Sequence, residues 1–162
     1  MELPNVEIKH ILYATDDSED ARYAFAYASS LSKQYHAKLT LLHVVPEFPD
    51  MVAFDFGIER SLAAKKWFST KQEYIKKIKK RFEELLEIEY DEKILGIDDI
   101  VVEKGNPVKM ILWVAKNKEC DLIVMGIKGR SPLEDAMMGN TVAGVLRRSK
   151  LPVLVLRNKK TK

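Results

Sequence analysis

The chain has 162 residues, 46% of them hydrophobic and 31% charged, which suits one soluble domain over 1–162 and neither a disordered tail nor a membrane protein. Glu2 and Glu7 near the start, apolar runs too short to span a bilayer, and the single cysteine, Cys120, predict a cytoplasmic chain with no disulfide framework and no multi-cysteine zinc site. Net charge is only +3, yet nine basic and two acidic residues follow from Lys128 onward, so the last fifth is electropositive and suits an anion.

Lys9 to Thr15 (KHILYAT) is a short β-favouring run, and Asp16, Asp17 and Ser18 follow it as a helix-start signal. From Glu19 to Tyr35 the positions Ala21, Ala24, Phe25, Ala28, Leu31 and Tyr35 recur at spacings of three and four, while Arg22, Ser29 and Lys33 lie off that face. This predicts an amphipathic helix. Lys38 to Val45 is nearly continuous in apolar and β-branched residues, the pattern of a strand covered on both faces. Glu47 to Ile58 fits neither period and reads as an irregular loop, whose Phe48, Phe54 and Phe56 suit packing or the cover of a ligand or seam. A long helical pattern runs from about Ser61 to Tyr90.

Ile100 to Glu103 reads as a third strand, ended by Gly105, Asn106 and Pro107, and Val108 to Ala115 as a short helix before Asn117. Asp121 to Met125 is a fourth strand. Val142 to Arg148 looks helical, with Arg147 and Arg148 suited to its negative end. Leu151 to Leu156 is a fifth strand, with Pro152 tolerable only near its start or on an edge. Alternating strands and helices with apolar strands predict an α/β fold: a five-stranded parallel sheet with helices on both faces, Rossmann-like in type. Ligands of such sheets sit at the carboxyl ends of the strands, so the site is expected just after Thr15, Val45, Glu103 and Met125.

The fourth strand leads into MGIKGRSPLEDAMMGNT, with Gly126, Gly129 and Gly139 in one stretch. Glycine lets main-chain N–H groups approach an anion, and a helix starting just after Gly139 would aim its positive end at the same spot. That is the composition of a phosphate cradle. Neither the P-loop pattern GxxxxGK[ST] nor GxGxxG with a following acidic residue occurs, which disfavours P-loop hydrolysis and dinucleotide binding.

HILYATDDSEDARYAFAYA, LTLLHVV, EKGNPVKMIL and DLIVMGIKGRSPLEDAMMGNTVAGVLRRSKLPVLVLR together resemble the universal stress proteins over almost the whole chain. Gly126, Gly129 and Gly139 match the spacing of the ATP-binding branch's marker, in which the third glycine precedes Ser or Thr; here Asn140 follows, with the Thr141 hydroxyl one position later. The resemblance implies that Ala14, Thr15 and Asp16 contact adenine and ribose, that the Val44 main chain reads the adenine edge, and that Met125 and Gly126 wall the ribose and α-phosphate. It gives Gly129, Gly139 and Asn140 to the phosphates; from the residues themselves, Lys128 and Arg130 suit either a phosphate contact or a solvated position on the glycine loop, and Thr141 offers its hydroxyl one position late. The resemblance implies a core over about 7–157, a basic tail over 158–162, and ATP, ADP or AMP as ligand with Mg²⁺ or Mn²⁺ on the phosphates. It also implies a cytoplasmic homodimer paired through the edge Val153 to Leu156.

Other readings of the same residues stay open. Asp16 also suits a plain helix start, His43 a hydrogen-bonded core position, and Cys120 a small packed residue. No catalytic constellation or dedicated metal-ligand set stands out, so the leading expectation is a nucleotide-dependent stress-response sensor or adaptor with at most slow ATP hydrolysis. A nucleotide-free module of the same fold, binding protein partners through its loop and edge, is the alternative that Asn140 favours. An adenylyl-transferring enzyme lacks its SGGxDS-type loop, and nucleic-acid binding rests on the basic end alone.

Overall fold

The computed structural model of the chain describes residues 3, 5–16, 18–45, 69–73, 76–77, 80, 99–127 and 138–158. Among these, β1 (His10–Thr15), α1 (Glu19–Tyr35), β2 (Lys38–Val45), β3 (Asp99–Lys104), α2 (Pro107–Asn117), β4 (Leu122–Gly126), α3 (Asn140–Arg148) and β5 (Val153–Leu156) follow one another in chain order. Residues 69–73, 76–77 and 80 are helical, in keeping with the helical pattern of that region. The loop expected over Glu47 to Ile58 lies outside the described residues, as do Gly129, Arg130 and the tail beyond Asn158.

Local chemistry explains the helix ends. Ser18, in extended conformation at φ −72°, accepts the Ala21 N–H at 3.2 Å and starts α1. α1 stops at His36, which turns left-handed at φ 52° and returns its N–H to Lys33 and Ser32. Asn106 caps α2 by accepting the Lys109 N–H at 3.1 Å, and Pro107 takes the first helical position rather than closing β3. A proline there loses nothing, since that N–H has no partner inside the helix. β5 begins at Val153, two residues later than the apolar run suggests, although the Pro152 carbonyl still accepts the Ile123 N–H.

All strand pairs are parallel, and the order is β3-β2-β1-β4-β5. From β1 the chain winds outward to β2 and β3, then returns past them to β4 and β5. With right-handed crossovers, this puts α1 on one face and α2 with α3 on the other. Ile11, Tyr13, Leu39, Leu41 and Val124 pack with Ala24, Phe25 and Ala28 of α1. Leu12, Ala14, Leu42, Ile123 and Met125 pack with Ile111, Val114, Val142 and Val145 of α2 and α3. Each fully buried aliphatic side chain contributes about 1.5–3 kcal/mol, so these two layers hold the fold.

Two side chains on α1 differ from the periodic reading. Tyr35, the last residue of the helix, is exposed, and Ser29 is buried. Nearby Ser32 is also buried and donates to the Ala37 carbonyl at 2.6 Å, which removes the cost of hiding its hydroxyl.

Candidate functional site

The winding reverses between β1 and β4, so the crevice expected of this topology opens beyond Thr15 and Gly126. Ala14 and Met125 are register partners across that seam, both nearly buried and on the α2–α3 face. They form its floor. Val44 lies on the same face of β2. The last paired row of β1 and β2 is Thr15 with His43, so Asp16 and Val44 stand together at the next level.

Asp16 is not the cap of α1. Its Oδ1 accepts the Ser18 N–H at 3.1 Å, an Asx turn that leaves Ser18 to cap the helix. The carboxylate is thereby held at the mouth of the crevice beside the end of β1. His43 sits opposite Thr15, its Nδ1 at 3.0 Å from the Thr15 carbonyl, a hydrogen-bonded position within the sheet.

On the β4 side, the Gly139 N–H donates to the Ile127 carbonyl at 3.0 Å, and the Ile127 N–H donates to Leu156 at 2.8 Å. These bonds bring Gly139, Asn140 and Thr141 back to the end of β4, next to Gly126. Gly139 is the N-cap of α3, and no side-chain cap hydrogen bond closes that end. First-turn N–H groups of a helix have no intrahelical acceptor and carry the positive end of its dipole, so this end can receive an anion. Gly129 and Arg130 lie outside the described residues, while Ala14, Thr15, Asp16, Val44, Met125, Gly126, Gly139, Asn140 and Thr141 all lie along the carboxyl edge of β2, β1 and β4.

Gly126 has a physical reason that its spacing did not reveal. A Cβ there would lie 2.6 Å from the Asp20 carbonyl carbon and 2.7 Å from the Ala21 nitrogen, both main-chain atoms of α1. The glycine is what lets the first turn of α1 rest on β4. Asp20 itself is buried and accepts the Asn158 N–H at 2.9 Å, tying the segment after β5 to the same turn. An acidic residue in a helix's first turn is an ordinary signal, and nothing in the sequence pairs it with position 158. Another pair missed by the patterns is Lys71 with Glu103, 3.2 Å apart and each less than a third exposed, at the carboxyl end of β3.

A separate polar cluster occupies the opposite, amino end of the strands. His10 Nδ1 is 2.8 Å from the Lys118 carbonyl and Nε2 2.7 Å from Thr40 Oγ1, while Thr40 donates to Asp99 at 2.9 Å. Burial by itself would raise the Asp99 carboxyl, but hydrogen bonds from Lys118, Thr40 and Lys38 outweigh it and hold Asp99 down at about 2. Burial lowers His10, aided by the positive charges of Lys38 and Lys118. Cys120 is buried beside this cluster and its thiol is pushed up to about 11, chiefly by burial. These groups pin strand ends together and are remote from the crevice. Among the described residues no group of three or more His, Cys, Asp or Glu could hold a metal ion, and no helix is long and apolar enough to cross a membrane.

The sequence matches the Universal stress protein family over residues 7–157. Universal stress protein MJ0577 of Methanocaldococcus jannaschii is 27% identical over 161 residues, covering 96% of this chain and 98% of its own. Its solved structure superposes with a TM-score of 0.72 at 26% identity, over 96% of this chain and all of the other. Universal stress protein UspA from Lactobacillus plantarum has a TM-score of 0.71 at 21% identity, over 94% and 100% of the two chains. A universal stress protein solved in complex with cAMP has a TM-score of 0.53 at 22% identity, over 94% and 98%, a likeness of fold.

Proposed function

The chain belongs to the universal stress protein family, and from that premise we propose that it binds an adenine nucleotide and works as a nucleotide-dependent sensor or adaptor in the stress response. The observation that carries this reading is the α3 N-terminus, closed by no side-chain cap bond and tied by Gly139 to the end of β4, across a switch-point crevice from Asp16. Main-chain donors face where phosphates would lie, and a carboxylate stands where ribose hydroxyls could donate to it. A fold relative solved with cAMP is consistent with this ligand class.

In this reading Asp16 accepts from the ribose, the Val44 main chain meets the base edge, and Ala14, Thr15, Met125 and Gly126 line the seam between them. Gly139, Asn140 and Thr141 receive the phosphates together with Gly129 and Arg130. Asn140 stands where the ATP-binding marker has Ser or Thr, and its amide can still donate to a phosphate oxygen. Mg²⁺ or Mn²⁺ would arrive on the phosphates and screen their charge. Hydrolysis requires a positioned base or water-ordering group and charge compensation at the γ-phosphate. Among the described residues none is assigned that work, and the reading is one of slow turnover at most. The chain is further read as a cytoplasmic homodimer joined through β5, which lies at the sheet edge and is paired on one side by β4.

Asn140 favours one other reading, a nucleotide-free module that binds protein partners. Isothermal titration with Mg·ATP separates the two. The nucleotide reading expects saturable binding that weakens about tenfold or more in Asp16→Ala, with the variant's circular dichroism unchanged. No binding by the folded wild type up to millimolar ATP refutes it.

A further inference from the structure

We propose that Glu103 is a base-selecting residue of this site, favouring a purine that carries a 6-amino group over one that carries a 6-oxo group; the proposal rests on the nucleotide-binding reading above. Its ground is the strand order. If phosphates meet the start of α3 beside β4, ribose meets Asp16 at the end of β1 and the base meets Val44 on β2, then the next strand outward is β3. Val44 and Glu103 are register partners on β2 and β3, about 4.8 Å apart as adjacent strands are.

They also share a face. Val44 and Val101 pack into the same apolar layer as Ala14, Leu42 and Met125, and Glu103 follows Val101 by two residues, the repeat that returns a strand's side chain to one side. A base resting on that layer therefore ends against Glu103. The side chain is 29% exposed and is held by Lys71, itself 28% exposed, with Nζ 3.2 Å from Oε1. Lys71 orients the carboxylate. An ionised carboxylate only accepts hydrogen bonds, and its two oxygens offer about four lone-pair sites, so contact with Lys71 leaves acceptor capacity. A 6-amino group donates to it, whereas a 6-oxo group turns lone pairs toward a negative charge.

ATP and ITP isolate this contact, because they differ at the 6-position and the adjoining N1 proton. Dissociation constants for both, with Mg²⁺, are measured on the wild type, Glu103→Gln and Lys71→Met, each first checked by circular dichroism. The wild type is expected to prefer ATP by about tenfold or more. Glu103→Gln, whose amide can donate as well as accept, is expected to bring the ratio down by about tenfold. Lys71→Met retains the carboxylate and should keep a preference for ATP. An unchanged ATP-to-ITP ratio in a folded Glu103→Gln that still binds ATP overturns the base-selecting role while leaving nucleotide binding intact. Failure of the wild type to bind either nucleotide overturns both readings.

Discussion

Gly126 can be read as open space for an anion or as the contact point of α1 with β4, and replacing it with alanine separates the two. The added Cβ would meet the Asp20 carbonyl carbon at 2.6 Å, the Ala21 nitrogen at 2.7 Å and the Asp20 oxygen at 2.9 Å. All three atoms are main chain, so no side-chain rotation relieves them. Ordinary contact near 3.4 Å would need α1 to retreat by about 0.8 Å, away from Tyr13 and Val124 on the sheet. Overpacking of this kind costs about 1–3 kcal/mol, and the lower chain entropy of unfolded alanine offsets about 0.4–1 kcal/mol of it. A net loss of about 1–2 kcal/mol should lower the melting temperature by about 2–8 °C, read by circular dichroism without nucleotide. Gly144→Ala is a second case: its Cβ would meet Val108 Cγ2 at 2.6 Å, Cγ1 at 3.3 Å and Cβ at 3.5 Å, a β-branched side chain that is stiff at χ1, while alanine favours a helix interior by about 1 kcal/mol over glycine. The two effects together leave a loss of about 0–2 kcal/mol against the wild type. A nucleotide-free Gly126→Ala as stable as the wild type would refute the packing argument and return Gly126 to an anion role alone.

Three further outcomes follow from the amino end of the sheet. Asp99, held at about 2 against an ordinary 3.8, lends stability that is complete above 3.8 and lost as pH falls toward 2; Asp99→Asn should cost about 1–2 kcal/mol near neutrality, allowing for partial solvent screening, and flatten the acid limb of urea denaturation. The unfolded chain protonates His10 more readily than the folded one does, so its contribution is present above 6.5 and is lost as pH falls below it. An NMR titration placing the folded His10 above 6.5 would contradict this. With its thiol pushed up to about 11 and buried, Cys120 should react with a disulfide reagent at pH 8 far more slowly in the native state than in urea; equal rates would show that it is accessible.

The order of strands and helices was legible in the chain because each described element carries its own period. KLTLLHVV could not be a surface strand, and the three-and-four spacing of α1 runs unbroken from Ala21 to Leu31. The start signal of α1 was legible too, for Ser18 acts over three residues and needs no partner from elsewhere, whereas Asn106, read as part of the end of β3, is the cap of α2. The places of Asp16, Val44 and Met125 at strand ends followed directly, since a parallel sheet opens at its carboxyl edge.

Tertiary structure alone decided what those residues meet. The spacing of Gly126 suggested phosphate, but its tightest constraint is the main chain of a helix that begins more than a hundred residues earlier. Asp20 finds Asn158, Glu103 finds Lys71, and His10 finds Thr40 and Lys118, each across a separation that no period encodes. Periodicity reports which face a side chain occupies within its own element. Sheet order and register bring distant elements together, and so the amino acids by themselves determined the fold and the edge where a ligand can enter, while the packed sheet decided which neighbours stand at that edge.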